Sequence, residues 1–307
     1  MTLGPRPAST PADSKGLCGV RGLVRVLVCS RSDAASVNLR DRLLEGGDWE
    51  LTGTRFRGAV VWGQSEAILV EVEGPAVRDE ELDGDLRAMG LPIRDVWFLS
   101  RHRAQSGQPS LTVHPIGNHA PLAELGGSPS TLAPAAPRDM GALLRRLQVH
   151  RDAAGLPHSV TYEATHHGPG MRYPTLFVEV GSDETWYTDV PSARVVAAAI
   201  TDVLRGEGRS QGPVLVGVGG GHYVPRHTDI ALSGEADFGH FLPAHAVEAG
   251  DKGTLERAIA ATPGCQGVHL HRKGLKGAAR QAVETWCKDL GVLTWSSGGA
   301  TEGHQPL

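Results

Sequence analysis

Aromatic residues are scarce: Phe, Trp and Tyr together make up 5% of the chain. A surface that binds single-stranded nucleic acid by stacking bases needs many such rings, so a broad stacking platform is excluded. There is no excess of positive charge. The net charge of −4 rules out a general polyanion binder and leaves room only for a local basic patch. The four cysteines, Cys18, Cys29, Cys265 and Cys287, form no CxxC pair, so neither a zinc ribbon nor a dense disulfide framework is expected. Apolar runs are short, as in "VVAAAI" (195–200), so no membrane span is expected. These absences fit a cytoplasmic protein with no membrane or DNA partner. Residues 1–22 are rich in Pro, Ala, Gly and Ser around a single acid, Asp13, and lack a continuous apolar segment. They read as a disordered extension rather than a transit peptide or secretory signal.

What is present is a chain with 40 glycines, 20 prolines and alternating strand and helix patterns. "LVRVLVC" (23–29) reads as a strand, followed by a helix that Ser32 or Asp33 caps and Gly46 ends. "AVVWG" and "EAILVEV" read as paired strands, "DEELDGDLRAMG" as a polar helix and "RDVWFLS" as a strand. Residues of about 103–136 read as a loop-rich insertion. "PRDMGALLRRLQVHRDAAG" is a helix with Pro137 in its first turn and Gly155 past its end. Strands "SVTYEA", "TLFVEVG", "PVLVGVG", "GVHLH" and "VLTW" then alternate with three further helices. Near-continuous apolar strands between helices predict a layered α/β fold with a mostly parallel central sheet. The expected division is one unit over 23–295 and a flexible tail at 296–307.

Three predicted strands end in polar, turn-rich sequence. They deliver Ser100, Arg101 and His102; Glu163, Thr165, His166 and His167; and Gly219, Gly220, Gly221, His222, Tyr223 and Arg226. Ligands of open α/β sheets bind outside the carboxyl ends of the strands, so the three corners are expected to face one crevice. "LTVHPIGNHA" adds His114, Asn118 and His119, and "FGHFLPAHA" adds His240 and His245. A lone histidine at a strand end is usually a structural hydrogen-bonder; the clustering favours a site. Dinucleotide, phosphate-loop, nucleophile-elbow and HExxH patterns are all missing. "ExxHH" is followed by Gly168 and Pro169, which argues against a helical ligand pair. The glycine turn can present N–H groups to an oxyanion, and a glutamate or histidine can deprotonate water, directly or on a metal. With no serine or cysteine placed as a nucleophile, the residues point to attack of water on a carbonyl or phosphoryl group.

The motifs "FLSRH" (98–102), "LTVHPIGN" (111–118), "EATHHGP" (163–169), "LFVEVGS" (176–182), "GVGGGHYVPR" (217–226), "FGH" (238–240) and "KGLKG" (273–277) follow one another in the order found in the archaeal and plant type of D-aminoacyl-tRNA deacylase. The chain resembles that family over roughly residues 23–292. It departs at Glu124, Leu125 and His227, where aromatics are expected. The resemblance implies a fold similar to the phosphorylase and peptidyl-tRNA hydrolase class. It implies hydrolysis of the ester between a D-amino acid, also in N-modified form, and the acceptor end of tRNA. It further implies zinc, two ions per chain. On this reading Glu163, His222 and His167 are catalytic, and His102, Glu163, His166, His167 and His240 hold metal. Ser100, Arg101, Asn118, Thr165, Gly219, Gly220, Gly221, Tyr223 and Arg226 face the substrate. Lys273, Lys276 and Arg280 contact tRNA, with a helical patch of Arg145, Arg146 and Arg151 as a second candidate. A nucleoside phosphorylase-like enzyme, a zinc-storage protein and a tRNA-binding module without turnover are the competing readings. A monomer is favoured, with the oligomeric state open.

Overall fold

The computed structural model of the protein describes residues 22–296 and 299–301. The expectations for the N-terminal extension and for most of the tail fall outside these residues. In chain order, β1 (Val24–Ser30), α1 (Ala34–Glu45), β2 (Glu50–Phe56), β3 (Ala59–Gln64), β4 (Ala67–Val72) and α2 (Leu82–Ala88) form the first part. Then come β5 (Ile93–Arg103), β6 (Ser110–His114), α3 (Pro137–Ala153), β7 (Ser159–Tyr162), β8 (Thr175–Ser182), α4 (Glu184–Tyr187) and α5 (Val190–Leu204). The last part holds β9 (Val214–Val218), α6 (Pro225–Leu232), β10 (Asp237–Leu242), α7 (Ala244–Ala249), α8 (Lys252–Ala260), β11 (Cys265–Leu270), α9 (Gly277–Asp289), β12 (Thr294–Ser296) and β13 (Gly299–Thr301).

The strands build two sheets. One runs β2-β3-β4-β1-β5-β8-β6-β7, the other β10-β9-β11-β12-β13. The layered α/β expectation holds, with a mixed large sheet. β4, β1, β5 and β8 are parallel neighbours, whereas β6 runs antiparallel to β8 and β2, β3 and β4 form antiparallel pairs. β6 corrects the reading of 103–136 as a loop-rich insertion: between Pro109 and Pro115 the chain adds a buried strand in the interior of the sheet.

Alternation along the strands divides the side chains between two buried faces. Leu27, Trp97, Leu99, Leu111, Val113 and Val178 join the core beneath α1, α3 and α5. Val26, Val28, Val96, Phe98 and Phe177 join the core on the opposite face. By the same alternation Ser100 and His102 on β5, His114 on β6 and Glu179 on β8 belong to the second face. The polar site is therefore one edge of an otherwise apolar surface. Phe238 and Phe241 of β10 belong to the first core, so the two sheets share packed side chains.

Local signals set the elements. Asp33 caps α1 by accepting from the Ala35 and Ser36 N–H groups, and Gly46 ends it, as expected. Asp237 opens β10 with its carboxylate fully buried, which Arg138 and Arg145 of α3 compensate at 2.8 and 2.9 Å. Arg145 and Arg146 are spent on Asp237 and Asp202, and Arg151 on Asp152. Two of the three charges of the helical patch, Arg145 and Arg146, are thus internal wiring, and among the described residues Arg151 pairs only with its exposed chain neighbour.

Candidate active site

The corners after β5, β7 and β9 meet, as the sequence leads one to expect. Ala164 N–H donates to His222 O at 2.7 Å and so fastens the corner after β7 to that after β9, and Gly117 N–H, from the segment after β6, donates to His167 O at 2.7 Å. Gly168 is demanded by the close approach of Gly126 and Gly127, since a Cβ there would lie 2.1 Å from Gly127 N. Gly219 and Gly220 both take φ of +99°, a backbone that favours glycine, and so turn the chain to present His222.

Glu163 is fully buried at the centre. Its Oε1 lies 2.9 Å from His102 Nδ1, and its Oε2 lies 2.9 Å from His222 Nε2 and 3.5 Å from His166 Nε2. His102 reaches Glu179 Oε2 at 3.5 Å and, through Nε2, the Tyr223 hydroxyl at 2.7 Å. Glu179 Oε1 stands 3.7 Å from His114 Nε2, and the His114 ring lies against those of His166 and His167 at centroid distances of 4.3 and 4.9 Å. A cleft of about 320 Å³ opens onto this group, with Asp33, Ser100, Arg101 and His222 on its walls.

Burial alone would push both carboxyls up. The imidazoles reverse the effect: His102 and His222 hold Glu163 well below the usual carboxylate range, and His102 and His114 bring Glu179 down to about 2. The same pairing raises His102 and His114 against the burial that would lower them. His166 and His167 shift the other way, because burial and the neighbouring His114 both disfavour their charge; His167 falls to about 4. The site therefore combines two ionised buried carboxylates with two imidazoles, His102 and His114, driven toward the charged form and two, His166 and His167, held neutral, and half-exposed His222 stands at its mouth.

A family model described as D-aminoacyl-tRNA deacylase matches residues 89–294. The chain is 34% identical over 272 residues to a D-aminoacyl-tRNA deacylase of Methanosarcina acetivorans, covering 87% of this chain and 90% of the relative. It is 33% identical to one of Thermoplasma acidophilum, covering 87% and 97% respectively. A solved structure of a conserved protein of unknown function superposes with a TM-score of 0.81 at 30% identity, over 89% of this chain and 95% of the other. This chain belongs to the D-aminoacyl-tRNA deacylase family.

For a deacylase that uses a metal, the donor set fits. Both Glu163 oxygens and His114 Nε2 are buried without hydrogen-bond geometry to any partner, despite the imidazole nitrogens 2.9 Å from the carboxylate. Lone pairs converging in this way suit a cation. Three groupings bring their ligand atoms within 4.8 Å of one another: His114, His166 and His167; His102, Glu163 and His222; His114, Glu163 and Glu179. The first two share no residue.

Some expected members lie elsewhere. His240 is not a ligand here: its Nε2 pairs with Ala133 O at 2.9 Å and its Nδ1 with Thr165 Oγ1 at 3.1 Å. Thr165 in turn accepts from Phe241 N–H, so its hydroxyl is structural. Asn118 spends its amide on Gly126 O and lines a neighbouring cleft. The Gly219 and Gly220 N–H groups donate to Leu242 O and Gly274 O, which leaves Gly221 as the one of the three whose N–H has no backbone partner among the described residues. Ser100 and the Arg101 N–H both point to Asp33, and Arg226 follows Pro225 in the first turn of α6. Lys273 and Arg280 are exposed; Lys276 pairs with Glu248 at 3.1 Å. Glu179 was not singled out from the sequence, although a carboxylate inside the apolar run "LFVEV" signals a buried charge that needs partners.

Proposed function

We propose that this chain hydrolyses the ester of D-aminoacyl-tRNA, with His222 as the group that moves the proton of the attacking water. The observation that carries the reading is the contact of half-exposed His222 with fully buried Glu163 at 2.9 Å. A carboxylate held so far below neutral pH is a poor proton acceptor. Glu163 instead orients His222 through the 2.9 Å contact at Nε2. Gly221 N–H is the backbone donor left for the developing oxyanion. His167, neutral with its Nδ1 on Gly168 O, offers Nε2 as a ligand or acceptor. Zinc suits the imidazole and carboxylate donors: His114, His166 and His167 would hold one ion, and in a centre where His102, Glu163 and His222 held a second, His222 would serve as a ligand in place of carrying the proton. Bound there, zinc would supply Lewis-acid polarisation and lower the pKa of water.

Residues 23–295 act in this reading as one catalytic unit, supported by the core that both sheets share. Lys273, Lys276 and Arg280 form the tRNA contact. Among the described residues no helix is long and apolar enough to cross a membrane, and a substrate used by ribosomes places the reaction in the cytoplasm. The deciding experiment compares release of amino acid from D-Tyr-tRNA and L-Tyr-tRNA. The D ester should react at least ~100-fold faster, the scale on which misplacing a reacting group slows an enzyme. Equal rates, or no release from either, would remove the assignment.

A further inference from the structure

A second cleft, of about 400 Å³, lies beside the catalytic one. His166 lines both. Its Nδ1–H donates to Ala164 O at 2.8 Å, which leaves Nε2 toward Glu163. A substrate whose ester reaches Glu163 and His166 has two halves, an acyl group and a nucleoside, and two clefts flank that point. We infer that the second cleft holds the terminal nucleotide of the RNA, its ribose and its 5′-phosphate; this rests on the deacylase reading above.

The walls support a nucleotide. Arg257 of α8 reaches into the lining, gives one donor to Thr254 Oγ1 at 3.2 Å, and has no carboxylate within 4 Å among the described residues. An arginine without an acid partner, at the wall of a cleft, is suited to a phosphate. His245 of α7 is exposed on the same wall. His119 places Nε2 on Phe241 O at 3.0 Å and keeps Nδ1 without a partner. Asp251, whose Oδ1 caps α8, stands exposed beside them and can accept from a ribose hydroxyl. The volume lies in the usual range for a small-ligand cleft, roughly 300–1,000 Å³.

The surroundings give the strand a way out. α7, which supplies His245, Ala246 and Ala249 to the cleft, carries Glu248, and Glu248 pairs with Lys276 at 3.1 Å. The basic turn with Lys273 and Lys276 thus lies directly across α7. A strand that leaves the cleft over α7 brings its next phosphates to these lysines, joining cleft and basic turn into one RNA path.

The probe is the uncharged trinucleotide CCA, titrated by calorimetry into wild-type protein, R257M and A249W. R257M removes the charge and keeps the bulk; A249W fills the cleft from an exposed position that the fold tolerates. CCA should bind about tenfold or more weakly to both, the scale for losing a charged hydrogen bond or the space itself. KM for D-Tyr-tRNA should rise by the same factor, with kcat within about threefold. Unchanged CCA affinity in both variants overturns the proposal, and so does wild-type protein that hydrolyses D-Tyr-tRNA without binding CCA. A shift in D-amino-acid preference with CCA binding intact gives the cleft to the acyl group and also overturns it. Wild-type protein that binds CCA with the expected dependence on Arg257 yet leaves D-Tyr-tRNA intact keeps the cleft and defeats the deacylase reading instead.

Discussion

Two sets of buried histidines sit in this molecule, and they behave in opposite ways. His102 and His114 face Glu163 and Glu179, and both are pushed toward the charged form. His227, His240 and His269 are buried just as well, with no carboxylate in contact among the described residues, and all are pushed toward the neutral form, His240 to about 3 and His269 to about 4. His114 and His240 are both fully buried, so burial does not separate the reactive set from the structural one. Contact with a carboxylate separates His102 and His114 from the structural set, whereas His166 and His167 of the same site are turned neutral by burial and by the neighbouring His114. His227 shows the structural role plainly: its ring packs against Phe238 and His269 at 5.0 Å each, filling a place where an aromatic would serve.

The largest expected effect comes from removing the charge that defines the first set. Glu163→Gln keeps the shape and removes the anion that orients His222. It should lower kcat by about 100-fold or more, the scale for disabling an acid–base group, and His222→Ala should do the same. Single-turnover release of D-Tyr from tRNA measures both. Wild-type turnover in either variant would dissolve the distinction between the two sets.

Metal content sharpens the same comparison. Zinc-loaded wild-type protein should carry up to two ions by elemental analysis. Glu163→Gln should lose the ion held with His102 and His222, whereas His114→Ala should lose the one held with His166 and His167. Loss of a first ligand weakens such a site by at least the 10–100-fold seen for outer-shell partners. Chelation should slow the reaction. A chelated protein, shown free of metal and fully active, would leave the carboxylate–histidine set to work by proton transfer alone.

This contrast also explains what could be read from the sequence. The strands β1, β4, β5, β8, β9 and β11 and the helices α1, α3, α5 and α9 are legible because their apolar periodicity is strong and their caps are explicit. β2, with Gly53 and polar alternation, sits at a sheet edge and carries little apolar signal. β6 hides between prolines. β10 contains Asp237, Gly239 and His240, and it is buried only because α3 supplies two arginines for Asp237, a compensation that no local pattern announces. The meeting of His102, Glu163, His166 and His222 does not follow from carboxyl strand ends on one side of a single sheet: β7 runs antiparallel to β5, and β9 lies in the other sheet. His240 also follows a strand-like run, but its nitrogens are claimed by Ala133 and Thr165, partners 107 and 75 residues away in the chain. Spacing alone does not tell such a histidine from a ligand.

Acid should act on the structural set first. Each of its members has a folded pKa below the unfolded value of about 6.5. Above pH 6.5 both states are neutral and the contribution is complete. As the pH falls below 6.5 the unfolded chain binds a proton that the folded chain refuses, and stability is lost until the folded pKa is reached, about 3 for His240. At pH 5 the loss is on the order of 2 kcal/mol for such a histidine, at ~1.4 kcal/mol per pH unit. Urea unfolding at pH 7.5 and pH 5 should show it, and His240→Gln should lessen the difference between the two pH values by about that amount. An identical pH dependence in the variant would mean that His240 takes up its proton in the folded state, as a member of the first set could.

The smallest expected effect is on catalysis by that same variant. His240 uses one donor and one acceptor: Nε2–H donates to Ala133 O, and Nδ1 accepts from the Thr165 hydroxyl, which itself accepts from Phe241 N–H. Glutamine carries a donor and an acceptor and can serve the same two partners, so Thr165 keeps its position. Thr165 precedes His166, which gives a route by which a disturbed hydroxyl could reach the site. Leucine would leave both partners unpaired in a buried place, at roughly 1–3 kcal/mol each, and would move the turn. His240→Gln should therefore keep kcat within about threefold of wild type and retain its zinc, while His240→Leu loses stability and some activity together. If His240→Gln instead lost zinc along with most of its turnover, His240 would be a ligand after all, and its contacts to Ala133 O and the Thr165 hydroxyl would not mark it as structural.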